Sequence, residues 1–154
     1  MADFDVELID HSREVLAELN RNMAAAYEAV GQAMQTHVQE GCPVGTPEST
    51  SIQHYHGGRL RQSITHKVVE GEVYVGTNMR ADNGAPYPIY VEFGTGIYAA
   101  DGNGRKSPWI WQDINGKFHY TRGIKPTHFM RNAVSSAAHI AEYKEIIKNQ
   151  LQNG

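Results

Sequence analysis

Along the first forty residues, Leu16, Leu19, Met23, Tyr27, Val30, Met34 and Val38 recur every three or four positions. That spacing lines one face of a helix. It predicts a long helix starting near Asp10 or Ser12, either of which can cap it, and ending at Gly41 and Pro43. Ahead of it, Phe4, Val6 and Leu8 alternate with Asp5 and Glu7, the period of a short strand. Residues 43–57 are rich in Pro, Ser, Thr and Gly and predict a loop. The run Gly58-Arg59-Leu60-Arg61-Gln62-Ser63-Ile64 predicts a helical turn feeding a strand. A hairpin follows around Glu70-Gly71, from Thr65 to Val69 and Glu72 to Gly76, with Ile64, Val68, Val73 and Val75 inward. Ile89, Val91 and Phe93 alternate with Tyr90 and Glu92 and predict a further strand. Met130, Ala133, Val134, Ala137, Ile140, Ile147 and Leu151 form the stripe of a last helix, with Thr127 as its cap. Two amphipathic helices against a small, mostly antiparallel sheet make an α+β fold, expected to be one domain over residues 1–154.

Between the third strand and the last helix lies an excursion of different chemistry. Residues 96–125 hold the run Asp101-Gly102-Asn103-Gly104-Arg105-Lys106 and both tryptophans, Trp109 and Trp111. Asn115-Gly116 suits a two-residue type I′ turn, because both residues tolerate positive φ. That loop pairs Ile114 with Lys117, Asp113 with Phe118, Gln112 with His119, Trp111 with Tyr120 and Trp109 with Arg122. The pleat then collects Trp109, Trp111, Phe118 and Tyr120 on one face. Opposite Trp109, Arg122 is placed for a cation–π pair. A lone two-stranded ribbon is marginal in water, so the aromatic face needs a cover from this chain or a neighbour. The expectation is an α+β body with a protruding aromatic hairpin.

Length and composition narrow the function classes. A chain of 154 residues buries roughly 70% of its unfolded surface. A single Cys42 excludes an internal disulfide. The acidic start lacks a secretory pattern, and no apolar run reaches the length of a membrane span, so a chain that folds in a cytosol is expected. Net charge is −3 but uneven. Residues 1–40 carry eight acidic and two basic groups (−6), while residues 96–126 carry five basic and two acidic (+3). An acidic helix and a basic arm in one chain suit head-to-tail contact between identical subunits.

Catalytic patterns are weak. Gly94-Thr95-Gly96 lacks the third glycine and the helix of a dinucleotide site. Gly104-Arg105-Lys106-Ser107 runs into a strand where a phosphate loop would open a helix. His54 and His56 form a His-x-His pair that could bind a metal ion for hydrolysis, though Glu48 is the one carboxylate nearby in sequence. His66 and His119 fall within strands and His37 and His139 on helices, where half-buried polar roles are expected. The cations Arg105, Lys106, Lys117, Arg122 and Lys125 with the two tryptophans could contact nucleic acid, against an acidic total charge. No cofactor is expected.

Several segments in order carry a resemblance: Cys42-Pro43-Val44, Gly58-Arg59-Leu60-Arg61-Gln62-Ser63-Ile64, Val73-Tyr74-Val75-Gly76-Thr77, Tyr90-Val91-Glu92-Phe93-Gly94-Thr95-Gly96 and Lys125-Pro126-Thr127-His128-Phe129-Met130-Arg131-Asn132-Ala133. Over about residues 4–150 the chain resembles the gene-product-ten-like family of tailed bacteriophages, small virion proteins of the head–tail junction. The segments 104–109 and 116–123 are similar to versions from siphophages and prophages of Gram-positive hosts. The chain departs from the family by inserting Thr46 to Gly57 before Gly58-Arg59-Leu60, and by extra residues around Ala81 to Gly84. The resemblance implies a non-enzymatic minor tail, head–tail joining or tail-completion protein. It would form a homo-oligomeric ring between connector, tail terminator or tail tube, in the virion after assembly in the host cytoplasm. DNA in the channel would touch it loosely at most. It further implies that Gly58, Arg59, Leu60, Ile64, Val91, Phe93 and Pro126 build the core and turn that position the arm. Gly94 and Gly96 would bend the chain out of the sheet, and Arg105, Lys106, Trp109, Trp111, Phe118, Tyr120 and Arg122 would meet the partner.

Overall fold

The computed structural model describes residues 9–51, 57–81 and 84–153. The strand expected at Phe4–Leu8 lies outside them. The fold is α+β, with a long N-terminal helix, two antiparallel hairpins and C-terminal helices.

Helix α1 runs from Ser12 to Gly41, and Cys42 closes it. His11 occupies the cap position, while the Asp10 carboxylate accepts the Ser12 N–H at 2.9 Å. Only its second half is built into the body, through Ala26, Val30, Gly31 and Val38. Val15, Leu16, Leu19 and Met23, the early part of the apolar stripe, are exposed. The core gathers at the other end of the helix, where Val38, Cys42, Leu60, Ile64, Val91, Phe129 and Ala133 are buried together. Helix α2, Arg59–Gln62, feeds strand β1 as expected. Its Leu60 and the following Ile64 are buried, but Arg59 is exposed. The working arginine is Arg61, whose guanidinium donates twice to the Cys42 carbonyl, at 2.6 and 3.2 Å. Burial pushes the Cys42 thiol up, with Arg61 pulling weakly the other way.

Strands β1 (Thr65–Val69) and β2 (Glu72–Gly76) pair about Glu70 and Gly71, both at positive φ, as a type I′ turn requires. Their inner face rests on α1. There His66 fits against Gly31 so closely that an added Cβ would sit 2.5 Å from its ring. The ring nitrogens reach Gln35 Oε1 at 2.6 Å and Glu28 Oε1 at 2.8 Å, pinning the hairpin to the helix.

Several expectations fail. Tyr87–Phe93 is a helix, α3, and not a strand. Proline lacks the N–H a ladder needs but suits a first helical turn, and Pro86 and Pro88 stand at this start. Residues at spacing three and four, Pro88, Val91 and Glu92, then turn inward, whereas Phe93 stays exposed and contributes little to the core. The sheet is therefore two separate hairpins. The last helix is also divided, into α4 (Phe129–Ser135) and α5 (Ala137–Asn153), by extended Ser136. The Ala133 carbonyl at the break accepts Tyr143 OH at 2.9 Å and His139 Nδ1 at 3.0 Å. The His139 ring stacks on His37 of α1 at 3.8 Å and 7°, which closes the seam between the two helices. Thr127 is not the cap; its hydroxyl donates to the Val91 carbonyl at 2.8 Å, and His128 takes the cap position.

Candidate interaction arm

The arm leaves α3 at Gly94 and returns at Pro126, and its two ends are fastened to one place. Thr127 N–H donates to Val91 O and His128 N–H to Glu92 O, both at 3.1 Å. Just outside, Thr95 N–H donates to Ile124 O at 2.9 Å and Ile97 N–H to Arg122 O at 3.0 Å. The Thr95 hydroxyl accepts Ile124 N–H at 3.0 Å. At this crossing the backbones touch where Gly96 (φ 61°) and Gly123 face Arg122 and Thr95. Gly94 (φ 77°), crowded by the Ile124 carbonyl and Pro126, and Gly96 serve close approach; with no sheet beneath them, they do not bend the chain out of one. Glu92, buried beside the crossing, accepts the Met130 N–H at 2.9 Å and the Arg131 N–H at 3.1 Å. A residue of α3 thus satisfies the first turn of α4, whose amides have no partner within their own helix.

Beyond the crossing, the loop folds on itself. Asp101 accepts the Asn103 N–H at 3.0 Å, Lys106 donates to the Gly102 carbonyl, and Lys125 lies 5.9 Å from the Tyr98 ring. Arg105 lies 5.4 Å from the centre of the Trp109 ring, so the cation on Trp109 is Arg105 and not Arg122. Arg122 instead lies beside Tyr120, whose phenol raises its already high pKa.

The aromatic hairpin forms, as β3 (Trp109–Gln112) and β4 (Phe118–Thr121), but its register differs by one from the expected pairing. Trp109 faces Thr121, Ile110 faces Tyr120, Trp111 faces His119 and Gln112 faces Phe118. The cause is Asp113. Its carboxylate accepts the N–H groups of Asn115 and Lys117, each at 2.9 Å, and His119 Nε2 at 2.8 Å. Gly116 alone in the turn takes positive φ (82°), and Asp113 N–H donates to Lys117 O at 3.0 Å. This is a type I turn with a left-handed glycine closing a three-residue loop. A shift of one residue exchanges the faces. Trp109 and Trp111 therefore lie with His119 and Thr121, half-buried, with Trp111 stacked on His119 at 4.6 Å. Phe118 and Tyr120 move to the opposite face beside Ile110, where the three are 70%, 65% and 67% exposed. The tryptophans are thus partly covered by the arm itself, and the uncovered apolar face is the other one. The tip is held to the body, with Ile114 N–H donating to Thr50 O at 3.1 Å.

Asp113 is buried, and His119 with the turn amides holds its carboxyl below the usual carboxylate range. A depressed value means the contribution is present above the unfolded pKa and lost as pH falls through the folded one. Corrected for its intrinsic pH dependence, amide protection across 109–121 is expected to fall as pH drops below the ordinary carboxylate range. Asp113→Asn should show low protection at every pH, and an unchanged profile in that variant would refute the role of the carboxylate.

Two open clefts flank α3. One, of about 670 Å³, is lined by Tyr90, Phe93, Gly96, Ala99, Arg105 and Trp109 among others; another, of about 500 Å³, lies between Val75, Pro88, Phe93, Met130 and Val134. Both are mainly apolar. His54 and His56 lie outside the described residues, and among those described no three His, Cys, Asp or Glu side chains gather as a metal site. His37, His66, His119 and His139 are all half-buried with polar partners. Among the described residues no helix is long and apolar enough to cross a membrane. Sequence reading missed Glu92, Asp113 and Arg61; the order Asp-x-Asn-Gly at 113–116, with Asp at the first turn position, was the available signal for one of them. Compared with protein-family models, curated proteins and solved structures, the chain matches none.

Proposed function

We propose that this chain is a structural, non-catalytic component of a tailed-phage neck or tail, joining head to tail or completing the tail within a ring of identical copies. The observation that carries this reading is the uncovered face of the hairpin. Ile110, Phe118 and Tyr120 stand in water on a ribbon locked at base and tip, and contiguous apolar surface of that kind marks a contact site. The order of motifs shared with the gene-product-ten-like proteins supplies the class of partner: connector, tail terminator or tail tube. The virion is then its final location.

The test is assembly in the phage. Particles made without this chain are expected to accumulate as separate heads and tails, and adding the purified protein should join them. In native mass spectrometry it should form rings, alone or with tail-tube protein. Normal joining in its absence, with a monomer under every condition, would overturn the reading.

A further inference from the structure

The same reading leaves open which surfaces meet, and the faces left bare answer it. We infer that the hairpin of one copy docks on the free half of α1 of the next. Each face lacks what the other offers. On the hairpin, Ile110, Phe118 and Tyr120 share one side, exposed Arg122 lies beside Tyr120 just past β4, and Lys117 stands exposed at the tip. On α1, Val15, Leu16, Leu19 and Met23 form an exposed ridge, because at 100° per residue they fall within one sector. Glu18 edges that ridge, Glu14 stands one turn before it on the neighbouring side, and both are exposed. Residues 1–23 hold six acidic and two basic groups, a net of −4, against +3 across 96–126. Opposite charges around two apolar strips fix orientation and suppress pairing of like with like: two hairpins, or two helix ends, would meet with the same sign. The contact joins different surfaces, so every copy offers one of each, and repetition closes into a ring when the rotation permits.

Charge exchange tests the pairing. One protein carries Glu14→Lys and Glu18→Lys; a second carries Lys117→Glu and Arg122→Glu. All four sites are exposed, and circular dichroism checks that both proteins fold. Each variant alone is expected to self-associate about tenfold more weakly than the parent. Mixed, they should co-assemble, since both interfaces are again complementary. Leu19→Cys and Phe118→Cys proteins, oxidised together, should give the mixed disulfide in preference to either homodimer; Cys42 is fully buried and does not compete. Self-association unaffected by the reversals, failure of the mixture to assemble, or a dominant Leu19→Cys homodimer would overturn the docking. If rings persist through both reversals, the neck reading stands and this pairing falls. If the parent never assembles and heads join without it, both fall.

Discussion

Gly96→Ala is expected to detach the arm from the body. A Cβ at this position would lie inside the Arg122 carbonyl oxygen, at a backbone φ of 61°. Relief requires moving backbone, because the obstacle is not a flexible side-chain end. The left-handed conformation costs about 1–2 kcal/mol, and separating the crossing sacrifices the Thr95–Ile124 and Ile97–Arg122 bonds at about 1 kcal/mol each. A total near 3 kcal/mol is a large share of the roughly 5–15 kcal/mol that stabilises such a domain. Gly102→Ala is the control. Its φ of 72° carries the same conformational cost, but nothing stands within 4 Å of the added methyl, so a loss near 1 kcal/mol is expected. Urea unfolding of the three proteins measures the difference, and Trp emission reports whether the arm has opened. Equal losses at the two glycines would show that backbone crowding contributes nothing.

Glu92→Ala should destabilise by a similar amount through another route. The carboxylate is buried and serves the Met130 and Arg131 amides at the start of α4, a helix of only seven residues. Removing a capping acceptor costs about 0.5–2 kcal/mol. Here a second amide loses its partner as well, and the missing side chain leaves space in the interior, for a sum near 3 kcal/mol. α4 delivers Phe129 and Ala133 to the core, so the damage spreads from the helix start to the main cluster. For a chain of this size the melting temperature should fall by about 6–12 °C. Glu92→Gln keeps one carbonyl oxygen and should lose about half as much. A melt within 2 °C of the parent for the alanine variant, on the same scale of about 2–4 °C per kcal/mol, would refute the capping role.

What the sequence revealed depended on how many residues spoke for each element. Thirty residues of regular apolar spacing leave no doubt about α1, and Glu70-Gly71 places the first turn correctly. From Ile89 to Phe93 there are only five residues, and their apolar positions satisfy periods of two and of nearly four; Pro86 and Pro88 decided the matter. In the aromatic hairpin, Asn115-Gly116 announced a turn, but loop length was chosen by the Asp113 side chain, and one residue of register exchanged Tyr120 for the stacked His119 opposite Trp111. Glu92 was invisible because its partners lie 38 and 39 residues away. The exposed ridge at the start of α1 was equally illegible: periodicity marks a face as apolar without saying what covers it.

Both ends of the excursion are clasped by Val91 and Glu92 against Thr127 and His128, so the intervening stretch starts and finishes at a single anchorage. Such a layout works like a socket. Segments of other length or composition could be exchanged there while the helical scaffold beneath kept its shape.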